Sequence, residues 1–272
     1  MERPVLTELI LDPPPPAYSD LKSLWAFEDN ATDGGENMLT PITKNISYVA
    51  GVTGKAVKIG TDGYILLKGA GDTMVYPNGF KGVPADTLAN LGSFTVAFWM
   101  NGVGPFTDGA QGVFSFSNKN EFWGSLDMFL ENYKNDADPS EAFIKFHMFN
   151  AGVASGNGEE WSEVKVSKVF NKWTHIALTY DAASSKLTLF VDGLPITGIN
   201  NKVLGGGSYG KVKFKDFNGL VLGTYQFQTA PSLTNHGPEG WARSFNGLLD
   251  QFRLYNRSLS PAEVTDLFTT KK

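Results

Sequence analysis

The sequence predicts an all-β domain, a sandwich or barrel of many short strands. Three observations carry this. Runs of β-forming residues recur along most of the chain. Gly, Asn and Asp turns fall between nearly all of them. Only one segment carries convincing helix punctuation.

Taken in order, Leu24-Trp25-Ala26-Phe27 is a short apolar run. Ala56-Val57-Lys58-Ile59 alternates, and Tyr64–Leu67 follows what reads as a turn at Asp62-Gly63. Ser93–Met100 is dense in β-formers and places Phe94, Val96 and Phe98 on one face. Val113–Phe116, Leu126–Leu130, Ala142–Phe149 and Val164–Val166 continue the pattern. Trp173–Tyr180 alternates, Lys186–Val191 follows, and Asp192-Gly193 then gives the tightest hairpin signal in the chain. Leu220–Leu222 and Leu248–Tyr255 close the series. The helix begins at Ser260-Pro261-Ala262-Glu263, with an N-cap serine, proline at the first position and glutamate at the third, which is a capping box. Leu259, Val264, Leu267 and Phe268 give it one apolar stripe. It is about two turns long, so it must dock on the sheet to be stable. A second short helical turn is expected at Pro84–Asn90.

Residues 1–20 read as a proline-rich linker, because the run Pro13–Pro16 can neither join a sheet nor continue a helix. Within it Val5–Leu11 reads either as the last strand of an upstream domain or as an extended arm packed on this one. Residues 21–272 read as a single domain, a length that all-β folds commonly reach.

The chain has 272 residues, a net charge of −5, 13% aromatics and no cysteine. A disulfide scaffold and thiol chemistry are excluded. No Lys/Arg cluster suits nucleic acid. A hydrophobic content of 42% is enough for a core rather than disorder. No apolar run approaches a membrane span, and no signal peptide follows Met1. The opening Met1-Glu2-Arg3-Pro4 reads as a trimmed start, so an export signal is expected upstream of it.

Several blocks together resemble a known family. These are Leu24–Asp33, Tyr48–Val57, Ser93–Met100, Lys172–Asp181 with Leu187–Gly193, and Phe245–Ser260. They stand in the order found in concanavalin A-like, laminin-G-like jelly rolls of the kind common in bacterial surface proteins. The resemblance runs from Leu24 to Phe268 and implies two stacked antiparallel sheets with a short C-terminal helix. It says little about activity, because the fold hosts lectins, carbohydrate-binding modules, adhesive domains, glucanases and spacers.

Hydrolytic members of this superfamily resemble enzymes that place two carboxylates on one strand in a Glu-x-Asp-x-(x)-Glu motif. The nearest match is Ser125–Glu131, in which Ser125 stands where the first Glu belongs. Asp127 and Glu131 share a face but lie four residues apart, roughly 13 Å along a strand. A retaining pair needs about 5 Å. His147, His175 and His236 carry no recognisable catalytic spacing, and no HExxH, Gly-x-Ser-x-Gly or phosphate loop is present. The expectation is therefore a chain that is not an enzyme.

Asp250 sits between Leu249 and Phe252 in a strand that should be half buried, so its carboxylate needs a cation or several donors. Glu28 opens an acidic, glycine-rich loop, and first and last strands pair in a jelly roll. Glu28, Asp33 and Asp250 with loop carbonyls would suit a structural calcium, and the family resemblance implies the same ion. The alternative is a salt bridge from Asp250 to Arg253 or Arg257.

Of six tryptophans, Trp25, Trp99 and Trp173 fall in strands and read as core. Trp123, Trp161 and Trp241 fall in segments that read as loops, interleaved with Asn118, Asn120, Asn157, Glu159, Glu160, His236 and Arg243. Aromatic faces stack on pyranose rings while amides and charged groups bond the hydroxyls. Trp123, Trp161, Trp241, Asn120, Asn157 and Arg243 are thus the expected glycan contacts, with Tyr133 and Tyr225 weaker candidates; the alternative is that these rings cap the sandwich ends. The resulting expectation is a non-catalytic carbohydrate-binding module of a larger exported or surface protein of a bacterium, an outer-membrane lipoprotein included. The rival is a spacer or protein-interaction module.

Overall fold

The computed structural model describes residues 20–35, 41–68, 89–131, 140–153, 158–196, 202–217 and 219–272. The expected linker, apart from Asp20, and most of the expected turn at Pro84–Asn90 lie outside the described residues.

The strands are β1 (Leu21–Trp25), β2 (Ile42–Ala50), β3 (Lys55–Lys68), β4 (Phe94–Gly102) and β5 (Ala110–Phe116). They continue with β6 (Leu126–Glu131), β7 (Ala142–Phe149), β8 (Glu159–Val166), β9 (Thr174–Asp181) and β10 (Lys186–Val191). Shorter pieces are β11 (Leu194–Pro195), β12 (Lys202–Val203), β13 (Gly219–Leu222) and β14 (Ala242–Ser244), before the closing β15 (Gly247–Tyr255). Their hydrogen bonds form one path, β11-β10-β9-β4-β15-β3-β13-β5-β6-β7-β8, with β1 on β15 and β2 on β3. All these pairs are antiparallel except β14 with β5.

This sheet curls into two layers because β3 serves both. Its residues Val57–Ile59 pair with β15, and Ile65–Lys68 pair with β13. The Asp62-Gly63 pair, which reads as a turn in the sequence, is a bend inside this one strand, with Asp62 at φ +52. A side chain at Gly63 would meet the Asn45 carbonyl at 2.5 Å, so only glycine allows the bend. The layers meet through phenylalanines. Phe98 of β4 stacks on Phe252 of β15 at 5.1 Å. Both rings meet Phe114 of β5, at 6.1 and 5.8 Å, although β4 and β5 are well separated in the strand path. The architecture is therefore the two-layer jelly roll that the strand pattern and the resemblance imply. Each such buried ring contributes about 1.5–3 kcal/mol.

The helix α1 (Pro261–Thr269) begins with the expected capping box at Ser260 and Glu263. Leu259, Val264 and Leu267 pack on Ala97, Ala177 and Phe190, and Phe268 stacks on Trp99 at 5.5 Å. The docked helix explains why both faces of β4 are buried. The Asp192-Gly193 turn has φ of +49 and +77, the mirror-image turn that a tight hairpin requires. Trp25 and Trp99 are core as expected. Trp173 is only half-buried, because it precedes β9 rather than standing within it.

His175 of β9 is fully buried beside Trp99 and Phe268, and neither ring nitrogen has a partner. Burial, assisted by the Arg253 charge, pushes its pKa down to about 4. The unfolded chain takes up this proton near pH 6.5, whereas the folded chain resists it until pH reaches about 4. His175 therefore supports the fold fully above the unfolded value, and this support is lost as pH falls towards 4, by up to about 3 kcal/mol. In urea titrations the variant His175→Leu should gain stability relative to the unsubstituted chain as pH falls from about 6.5 to 4. A difference between the two proteins that does not change with pH would refute this role.

Candidate functional site

The outward face of the β5–β8 layer is not a plain solvent face. Alternation turns Leu126, Met128 and Leu130 of β6 into the core and leaves Asp127, Phe129 and Glu131 on the other side. Register then aligns Ser115, Asp127, His147 and Trp161 as direct neighbours across β5, β6, β7 and β8. Ser115 Oγ donates to Asp127 Oδ1. Asp127 Oδ2 lies 3.2 Å from His147 Nδ1, and His147 Nε2 lies 3.3 Å from Glu159 Oε1. Trp161 Nε1 donates to the same Glu159 oxygen at 3.2 Å. A polar chain whose first three members are buried thus ends on an exposed indole.

Two irregular segments fold over this face. The β5–β6 connection brings Trp123 parallel to Phe129 at 5.3 Å and edge-on to Trp161 at 5.2 Å. The segment before β14 brings Trp241 within 6.0 Å of Trp123. Tyr225 and Phe227 stack on each other at 5.1 Å beneath them, and Phe122 stacks on Phe227 at 4.5 Å. Burial, with the charges of Glu131 and Asp127, holds the Tyr225 hydroxyl well above its ordinary pKa.

Glutamines hold these segments. Gln226 is fully buried; its Nε2 donates to the carbonyls of Glu121 and Phe122, and its Oε1 accepts from the Asn118 amide. Gln228 Nε2 donates to the carbonyls of Glu239 and Ala242. One short turn, Gln226–Gln228, therefore fixes the segments that carry Trp123 and Trp241.

The result is a groove of about 570 Å³ walled by Trp123, Phe129, Trp161 and Trp241, with Lys145 and Glu131 on its floor and Arg243 at one end. Trp161 and Trp241 remain 40% and 38% exposed. Lys145 pairs with Glu131 at 3.2 Å. Arg243 makes a two-point pair with Asp108, at 3.0 and 2.8 Å, and holds that carboxyl below its ordinary pKa. A smaller recess of about 170 Å³ shares Trp123 with the groove and is further lined by Asn118, Glu121, Phe122, His147, Phe149 and Glu159.

The structure thus brings together the three tryptophans singled out in the sequence, with Arg243 at their edge. Trp161 corrects one expectation: it stands in strand β8, not in a loop, and its outward position follows from strand alternation. Asn120 is exposed on the Trp123 segment and does not line the groove. Asn157 and Tyr133 lie outside the described residues. The sequence reading missed Phe129, Glu131 and Lys145, although the alternation of β6 and β7 contains them. It also missed Gln226 and Gln228, for which no local pattern exists.

The expected metal ligands divide. Asp33 is buried, and its Oδ1 accepts from the amides of Leu24 and Gly35 at 2.7 and 2.8 Å, so it braces β1. Glu28 and Asp250 both face the turn 51–55. Glu28 accepts from the Lys55 amide at 3.1 Å, and Asp250 Oδ2 accepts from the Val52 and Thr53 amides at 2.9 and 3.3 Å. Asp250 Oδ1 is buried without a partner. Burial pushes the Asp250 pKa up to about 6 against those amides, and the Glu28 charge adds to the push. The alternative salt bridge does not form. Arg253 bonds Gln251, and Arg257 pairs with Asp20 and Glu263. Among the described residues no three His, Asp or Glu side chains converge as a cation site.

Several solved structures share the fold. Domain 4 of AbnA, a GH43 extracellular arabinanase from Geobacillus stearothermophilus solved with arabinotriose, is 18% identical with a TM-score of 0.53, covering 91% of this chain and 97% of that domain. The binding domain of Paraclostridial Mosquitocidal Protein 1 is 16% identical with a TM-score of 0.59. The botulinum neurotoxin serotype D binding domain is 11% identical, also with a TM-score of 0.59. The alignments cover 92% and 93% of this chain and 52% of each toxin domain, so this chain spans about half of their length. Among curated proteins none matches the chain. A family model matches residues 78–265, more than half of the sequence, and the chain belongs to the concanavalin A-like lectin/glucanases superfamily.

Proposed function

We propose that this chain is a non-catalytic module that binds a glycan along the aromatic groove. The observation that carries the reading is the pair of exposed indoles, Trp161 and Trp241, set around Trp123 over a groove with charged groups at its floor and end. Apolar rings facing a cleft suit the C–H faces of sugars, and Lys145, Glu131 and Arg243 suit their hydroxyls. The groove also argues against hydrolysis: of its described carboxylates, Asp108 is paired with Arg243 and Glu131 with Lys145, while the nearby Asp127 is buried and bonded to Ser115 and His147. The neighbouring arabinanase domain, solved with arabinotriose, supports the ligand class, and its extracellular enzyme supports an exported or surface location, as does the bacterial character of the sequence blocks.

The test is retention of the full chain on immobilised plant, microbial and host polysaccharides. The chain should be retained on one polymer class, and Trp161→Ala and Trp241→Ala should each weaken binding by roughly tenfold with unchanged circular dichroism. Unaltered affinity in both variants would remove the groove as the site. Absence of retention on every polymer would favour a protein partner.

The same reading includes a structural calcium at Glu28 and Asp250. The unpartnered Asp250 Oδ1 beside a second carboxylate fits a hard cation, which would offset the burial, and secondarily the Glu28 charge, that raise the Asp250 pKa. Asp33 Oδ1 accepts the amides of Leu24 and Gly35, so this reading rests on Glu28 and Asp250. Adding calcium to chelator-treated protein should raise the melting temperature by roughly 5 °C. Asp250→Asn should abolish that response, and a calcium-independent melting temperature would refute the site.

A further inference from the structure

The small recess beside Trp123 differs in character from the groove. Its walls are aromatic, from Phe122, Trp123 and Phe149. Its acidic groups are Glu121 and Glu159, and among the described residues no Lys or Arg lines it. His147, at its base, has Asp127 on one ring nitrogen and Glu159 on the other. Whichever protonation state the imidazole adopts, the acids Glu121, Asp127 and Glu159 outnumber it. Trp161 and His147 both approach Glu159 at Oε1. The Glu121 carboxylate forms no ion pair among the described residues. The volume, about 170 Å³, admits a small head group rather than a whole sugar chain.

An aromatic-walled recess of negative potential attracts a cation through ring faces and carboxylates at once. We propose that this recess is a subsite for a protonated amine, and that the chain prefers a glycan with a free amino group, a glucosamine-type unit, over its N-acetylated form. This rests on the reading of the neighbouring groove as a glycan site, since Trp123 is the wall shared by the two. The sugar ring lies on the indoles, and the ammonium group points past Trp123 towards Glu121 and Glu159.

Titration of the full chain with glucosamine trimer and with its fully N-acetylated counterpart, at a pH that keeps the amine protonated, tests the proposal. The amine form should bind about tenfold more tightly. That advantage should shrink as salt rises from ~0.05 M to ~0.5 M. Glu121→Gln and Phe149→Ala should erase most of the advantage while binding of the acetylated trimer is unchanged. Equal affinity for the two trimers, or an advantage that survives both substitutions, would overturn the amine subsite and leave the glycan groove standing. If neither trimer binds, tetramethylammonium separates the two ideas. A saturable shift of the Trp123 indole N–H resonance, weakened by Glu121→Gln, upholds the recess alone, and no shift overturns it. Binding of tri-lysine in place of either trimer would overturn the glycan assignment and make the recess a protein contact.

Discussion

The groove depends on Gln226. Loops that cover a sheet face bury backbone groups that no strand pairs, and each such group left unpaired costs on the order of 1–3 kcal/mol. Gln226 has no exposed surface and uses both ends of its amide on the 118–122 segment. With Thr234, whose hydroxyl also donates to the Glu121 carbonyl, it fixes the backbone from which Trp123 stacks on Phe129 and meets Trp161. Gln228 does the same for the segment that carries Trp241. The segments are therefore held by hydrogen bonds made beneath the rings, while Trp161 and Trp241 keep exposed ring surface. A binding surface built this way loses little conformational freedom when a ligand arrives.

Much of the fold was legible because it rests on local rules. The capping box at Ser260, the Asp192-Gly193 turn and the alternation of Ser93–Met100 all appear where the sequence puts them. The bend at Asp62-Gly63 was not legible. A positive φ at Asp62 looks the same in sequence whether the chain reverses there or runs on into the second layer. That difference is decided by pairing with β13 and β15, which lie more than a hundred residues away.

The site was legible in part for the same reason. Tryptophans among polar residues point to a surface, and Trp123, Trp161 and Trp241 do converge. An acidic loop residue can serve a cation or backbone amides, and sequence alone does not separate the two roles. At Asp33 the amides of Leu24 and Gly35 have that place. Gln226 and Gln228 left no trace, since a glutamine that braces a distant loop resembles one on the surface.

His147 shows how strand register creates a property that no single residue carries. Alone it is a strand histidine between Phe146 and Met148. Register places Asp127 on one side and Trp161 on the other. The side chain of Glu159 then closes the chain from a carboxylate inside the layer to an indole at the rim. A buried acid such as Asp127 is tolerated because Ser115 and His147 both engage it. The orientation of the exposed ring at Trp161 is thus coupled to a polar group in the interior. Any ligand that rests on that ring meets a surface whose position is fixed from below by Ser115, Asp127, His147 and Glu159 together.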